Sequence, residues 1–231
     1  DSQGASSATT LTVTVTGTND APNVYVGSGD RSIAAFTEAN VGLTTTGTLS
    51  VTDIDTTDQV SASVVSAVTV GGTYLALAGN VVPANSTLLN MFSVSGGESS
   101  TTAQTAANGI SWVFNSGSEA FNQLPKDATL ILTYTVRATD SFGATDDQLV
   151  TITITGTNDT PVVTADTIGV TEDAVDQSGY NDSDVNTTIV AGNVLSNDSD
   201  VDTGDVIRVT SVAAGTPPSA SGSVAASVAG T

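Results

Sequence analysis

The sequence predicts an all-β fold of tandem Greek-key β-sandwich repeats, and three observations predict it. Small and β-branched residues dominate and aromatics make up only 4% of the chain, a composition suited to short strands and many turns rather than long helices. Segments of period-two alternation recur, as half-buried antiparallel strands require. A motif also returns: Leu11-Thr-Val-Thr-Val-Thr-Gly-Thr-Asn-Asp-Ala-Pro22 reappears as Val150-Thr-Ile-Thr-Ile-Thr-Gly-Thr-Asn-Asp-Thr-Pro161, an offset of 150 − 11 = 139 residues. A unit of that length is a whole domain rather than a solenoid coil.

Cutting after each Asn-Asp-x-Pro divides the chain into three. Residues 1–22 are expected to be the C-terminal strand and linker of one repeat, 23–161 a complete sandwich, and 162–231 the N-terminal part of a third. Unpartnered, residues 1–22 with the strand Leu11 to Thr16 are expected to be disordered or aggregation-prone, because an isolated strand exposes its pairing edges. In the complete repeat, Val60, Ala62, Val64, Val68 and Val70 alternate with Ser and Thr. Trp112 alternates with Val113, which points to a core or sheet-face position. Glu119 to Leu124 is expected to add one helical turn. Leu130, Leu132, Tyr134, Val136 and Ala138 share one face of the next strand, and Val150, Ile152 and Ile154 point inward from the last. The third piece echoes the second: Thr171-Glu172-Asp173 matches Thr37-Glu38-Ala39, and Asp198-Ser-Asp-Val-Asp-Thr-Gly-Asp205 matches Val51-Thr-Asp-Ile-Asp-Thr-Thr-Asp58.

Charge narrows the partners. Four basic residues stand against 24 acidic ones, a net charge of −20, which repels phosphate backbones and anionic lipid and argues against nucleic acid. No apolar run is long enough for a membrane helix. The absence of Cys and His removes disulfides, thiolate nucleophiles, Cys/His zinc sites and an imidazole base. Two carboxylates about 4 Å apart repel by roughly 4 kcal/mol at an effective dielectric near 20, so clustered aspartates call for a cation.

Topology predicts where they cluster. In a Greek-key sandwich, the hairpin before the last strand and the loop after the second strand lie at the end where the linker enters. That brings Asp140 and the pair Asp53 and Asp55 towards Asn19 and Asp20. At the next junction Asn158 and Asp159 would meet Asp200 and Asp202, with Asp198 and Asp205 close in sequence, and Glu38 is a further candidate there. An all-oxygen set suits Ca2+, which takes 6 to 8 oxygen ligands at about 2.3–2.6 Å. The plainer alternative is that Asn-Asp-x-Pro is turn chemistry and the aspartates solvate loops. Asp198-x-Asp-x-Asp202 is a poor EF-hand, with no Gly at loop position 6 and no Glu at position 12.

Gly47 to Asp55, Asn108 to Phe114, Leu130 to Gly143 and Thr151 to Pro161, taken in order, resemble the VCBS repeat family of giant bacterial surface proteins, many of them exported by type I secretion. Gly192 to Asp202 is similar to bacterial cadherin-like repeats. The resemblance implies Ig-like or cadherin-like sandwiches with calcium at the junctions. Asn19-Asp20, Asp53-x-Asp55 and Ala138-x-Asp140 match the cadherin linker, loop and strand-end motifs, except that Gly17 and Ala21 replace the linker's first Asp and last Asn. It further implies an extracellular extender of an adhesin, at the bacterial surface or secreted, serving cell adhesion or biofilm. Its partners would be adjacent repeats of the same chain and, through other regions, a surface glycan or another cell-surface partner. A carbohydrate-binding module using Trp112 and Phe114 is the rival reading, and a strand-exchanged filament subunit another. An enzyme is not expected: Asp53 with Asp55, or Ser with Lys126, lacks supporting pocket residues. Asn-x-Ser/Thr sequons at Asn85, Asn158, Asn181, Asn186 and Asn197 carry little weight in so Ser/Thr-rich a chain.

Overall fold

The computed structural model describes residues 2–55, 58–96, 109–166, 193–211 and 227–228. The echo at Thr171-Glu172-Asp173 and the sequons at Asn181 and Asn186 lie outside them.

One sheet runs β1 (Asn23–Tyr25), β3 (Thr44–Thr52), β7 (Ile110–Asn115), β6 (Phe92–Gly96), with every neighbouring pair antiparallel. The other runs β2 (Ile33–Thr37), β9 (Thr145–Thr155), β8 (Thr129–Thr139), β4 (Ser61–Val64), and β5 (Thr69–Gly71) also pairs with β8. The β2–β9 pair is parallel. The leading segment therefore joins one sheet through β1 and crosses to the other through β2. Asp30 holds that crossover: its carboxylate accepts the Gly27 N–H at 2.9 Å and the Thr48 and Ser50 hydroxyls at 2.6 Å each. Leaving out β2 and β5, this is the strand order of an immunoglobulin-type sandwich.

The alternation read from the sequence sets the core. Leu130, Leu132, Tyr134, Val136 and Ala138 of β8, with Val150, Ile152 and Ile154 of β9, are fully buried, and Ile110, Trp112 and Phe114 of β7 face them from the other sheet. Phe92 stacks on Tyr134 and on Trp112, with ring centroids 4.3 and 5.7 Å apart. The Trp112 Nε1–H donates to the Arg31 carbonyl at 2.7 Å and the Tyr134 hydroxyl to the Leu88 carbonyl at 3.0 Å, so the buried polar atoms of both rings are satisfied. Gly47 faces Trp112 across the β3–β7 pair, where a Cβ would run into the indole ring.

The Val60 to Val70 stretch, marked as strand by its alternation, carries two, β4 and β5. One detail departs from the sequence reading. The expected helical turn at Glu119 to Leu124 is replaced by turns, with Phe121 at φ 63° and the Leu124 N–H bonded to the Phe121 carbonyl at 3.0 Å; a left-handed residue there stops a helix. Helical structure occurs instead in α1 (Asn85–Asn90) and a 3-10 turn at Thr73–Ala76, which bury Leu88 and Tyr74. Residues 2–22 contain no strand, and Leu11, Val13 and Val15 are 85%, 74% and 88% exposed. Beyond the sandwich, β10 (Val209–Ser211) pairs with β11 (Ser227–Val228). Among the described residues no helix is long and apolar enough to cross a membrane.

Candidate cation sites at the sandwich ends

β3 ends at Thr52 and releases the Asp53-Ile-Asp55 loop; the β8–β9 hairpin turns through Asp140 at the same end. Both loops are shaped by their own carboxylates. Asp53 accepts the Asp55 N–H at 2.9 Å, and one oxygen of Asp140 accepts the Phe142 and Ala144 N–H groups at 2.9 and 2.8 Å. Carboxylate oxygens of Asp53, Asp58 and Asp140 then lie within 4.8 Å of one another, all three residues buried. The incoming linker is tied to both loops: the Asn19 Nδ2–H donates to Asp140 at 2.8 Å, and the Asp20 N–H to Asp55 at 2.7 Å. The Asn19 amide, aided by backbone N–H groups of 142–144 and opposed by burial, holds the Asp140 carboxyl below its usual range.

The second junction repeats four bonds of this scaffold, and among the described residues it has no counterpart of Asp140. The Asp159 N–H donates to Asp202 at 2.8 Å as the Asp20 N–H does to Asp55. The Asp202 N–H donates to Asp200 at 2.9 Å as that of Asp55 does to Asp53. Asn158 and Asn19 each donate to the carbonyl of the following Asp, at 2.7 and 3.0 Å. The Asp205 and Asp58 N–H groups bond the Asp202 and Asp55 carbonyls at 3.2 and 3.0 Å. Here Asp200, Asp202 and Asp205 bring carboxylate oxygens within 4.8 Å. Burial, reinforced by the charges of Asp200, Asp205 and Asp159 and opposed by the Asp159 N–H bond, pushes the Asp202 carboxyl up to about 6. Burial and Asp200 also raise Asp205.

Glu38 stands apart from both carboxylate clusters. It is buried and accepts the Thr157 hydroxyl at 2.6 Å and the Thr157 N–H at 3.2 Å, with the Asn40 N–H at 2.9 Å on its other oxygen. It thus fixes the linker just before Asn158. Gly156 begins that exit, packed so closely on the Leu124 and Pro125 carbonyls that a Cβ would collide with them. This accounts for glycine at position 156. Asp55 bonds the linker and does not belong to the Asp53–Asp58–Asp140 trio. Asp58 is the residue the sequence reading did not select, and its counterpart Asp205 entered only as close in sequence to the second junction, although both close the matched Asp-x-Asp-Thr-x-Asp segments.

The fit to a cation can be tested on geometry. An ion holding oxygens at 2.3–2.6 Å leaves them at most about 5 Å apart, and both trios satisfy that. Asp53 Oδ2, Asp159 Oδ2, Asp200 Oδ2 and Asp202 Oδ1 are buried without a hydrogen-bond partner. Such atoms cost on the order of 1–3 kcal/mol each, more when charged, unless something pairs them. The donor set, carboxylate and carbonyl oxygen with no nitrogen or sulfur, suits a hard divalent ion.

Fold and ends together define an immunoglobulin-type β-sandwich with carboxylate-lined junctions. No protein-family model matches the chain, and no curated protein matches it. Among solved structures it is similar to the CooA pilin subunit from enterotoxigenic Escherichia coli, at 12% identity and a TM-score of 0.34, over 59% of this chain and 99% of that one. It is similar also to a PapD-like domain of human CEP192, at 12% and 0.34 over 65% and 95%, and to the periplasmic chaperone SfaE, at 10% and 0.29 over 58% and 56%. At these scores the likenesses carry nothing about function.

Proposed function

We propose that the chain is an extender segment of a bacterial adhesin, at the cell surface or secreted, whose junctions are stiffened by calcium. The observation that carries this reading is the recurrence of one hydrogen-bonded scaffold at two junctions, each holding a trio of carboxylates and buried oxygens without donors. Coincidence of turn chemistry accounts for the loops but not for unpartnered carboxylate oxygens at both. The VCBS and cadherin-like resemblance supports the adhesin part of the proposal and rests on motif order alone.

In this reading Asp53, Asp58 and Asp140 hold one ion and Asp200, Asp202 and Asp205 another. Asn19, Asp20, Asp55, Asn158 and Asp159 lock the linker to the loops, and Glu38 braces the strand that precedes it. Calcium supplies positive charge where the −20 chain would otherwise repel itself. With a site Kd of about 0.1 mM and a hundredfold excess of ion, linkage contributes about 2.7 kcal/mol per site. Carbohydrate stacking on Trp112 or Phe114 loses its basis, because both rings are fully buried. Strand exchange keeps one supporting observation, the exposed Leu11, Val13 and Val15.

Isothermal titration of the intact chain tests the reading. Calcium should bind at two sites, and Asp53→Asn should remove one while leaving the other. No heat up to about 10 mM calcium, well above the range expected of extracellular modules, would refute it.

A further inference from the structure

Thr203 follows the Asp200-Val-Asp202 loop and meets the sandwich at two points. Its N–H donates to the Gln123 carbonyl at 3.1 Å, and its hydroxyl lies 3.1 Å from the Tyr74 hydroxyl. Tyr74 is fully buried. Its oxygen accepts the Val81 N–H at 2.9 Å and faces the Val81 carbonyl at 3.3 Å. A phenol donates once and accepts up to twice. With its proton on the Val81 carbonyl and one lone pair on the Val81 N–H, its remaining position is the one that the Thr203 hydroxyl fills as donor.

The other side of the loop is sewn to the linker. Val162 and Ser199 exchange backbone bonds at 2.8 and 3.0 Å, and the Thr164 N–H donates to Asp198 at 2.8 Å. None of these bonds involves a cation. The same threonine follows the Asp-x-Asp pair in both repeats, in Asp53-Ile-Asp55-Thr56 and in Asp200-Val-Asp202-Thr203.

We propose that the Tyr74 hydroxyl and the Gln123 carbonyl form a docking notch for the threonine after the Asp-x-Asp pair of the next repeat, a clasp that sets the direction of consecutive repeats before any ion binds. It divides the work at a junction. The clasp orients the loop, and the carboxylates beside it are thereby held in place for whatever cation they take. Because the clasp needs no ion, it stands or falls separately from the calcium reading.

Amide hydrogen exchange followed by NMR on the full chain in EDTA tests it. The Thr203 N–H is expected to be protected in the wild type. Thr203→Val should raise its exchange about three- to tenfold, the loss expected for one neutral hydrogen bond, and Tyr74→Phe should do the same. Thr203→Ser, which keeps the hydroxyl, should restore protection. Trp112 fluorescence melts would verify that the sandwich itself is intact in each variant. Protection in EDTA that persists whether or not calcium is then added supports the clasp. Exchange at the free-peptide rate in EDTA, or equal rates in the wild type and Thr203→Val, overturns it, even where calcium later slows exchange.

Discussion

Asp53 and Asp202 each bury a carboxylate oxygen that no donor reaches, and they differ in what surrounds them. Asp53 shares its site with Asp140, whose charge is eased by the Asn19 amide and backbone N–H groups. Asp202 has only the Asp159 N–H against burial and three neighbouring carboxylates. With a folded pKa of about 6 against an ordinary 3.8, Asp202 binds its proton more tightly in the folded chain. Its ionisation therefore weakens the ion-free junction above pH 6, and that penalty disappears as pH falls through 6 towards 4. Carboxyl carbon NMR in EDTA should find the Asp202 midpoint near 6, moving down when calcium is added. A midpoint near 3.8 in EDTA would mean that the junction does not confine these charges.

At the scale of elements, β8 and the Val150-to-Ile154 half of β9 were legible because their alternation is unbroken and every buried residue is apolar. The carboxylate clusters were legible in part. Greek-key topology is enough to bring Asp140 to Asp53, but not to tell Asp55, which bonds the linker, from Asp58, which joins the trio. That distinction depends on the loop's turn, where the Asp58 N–H meets the Asp55 carbonyl. The interrupted strand at Val60 to Val70 and the left-handed Phe121 were illegible because backbone geometry, not hydrophobic period, decides them. Two substitutions probe this level. Trp112→Ala should cost about 3–5 kcal/mol in denaturant unfolding, as truncation of a buried Trp generally does. Removing residues 1–16 should leave the sandwich's melting temperature unchanged, since Leu11, Val13 and Val15 touch none of its core. A fall of several degrees would show that the segment packs on the sandwich.

For the whole molecule, net charge and architecture act together. A chain of −20 with carboxylates gathered at both linkers would, as the proposed extender, repel itself where it has to be straight. In the proposed reading, orientation is left to the linker bonds of Asn19, Asp20, Asn158 and Asp159, to the Thr203 clasp, and to a cation. Two sites at about 2.7 kcal/mol each would be comparable to a sizeable part of a domain's marginal stability.

The most direct test is thermal unfolding of the intact chain in EDTA and in calcium, beside Asp53→Asn, which keeps the acceptor for the Asp55 N–H and removes the charge. Calcium at a hundredfold excess over Kd should raise the wild-type melting temperature by roughly 5–10 °C, given a few degrees per kcal/mol for a domain of this size. Asp53→Asn should melt at or above the wild type in EDTA, because one buried repulsion is gone, and should lose most of the calcium response. Equal melting temperatures with and without calcium, or an undiminished rise in Asp53→Asn, would contradict a cation held by Asp53, Asp58 and Asp140.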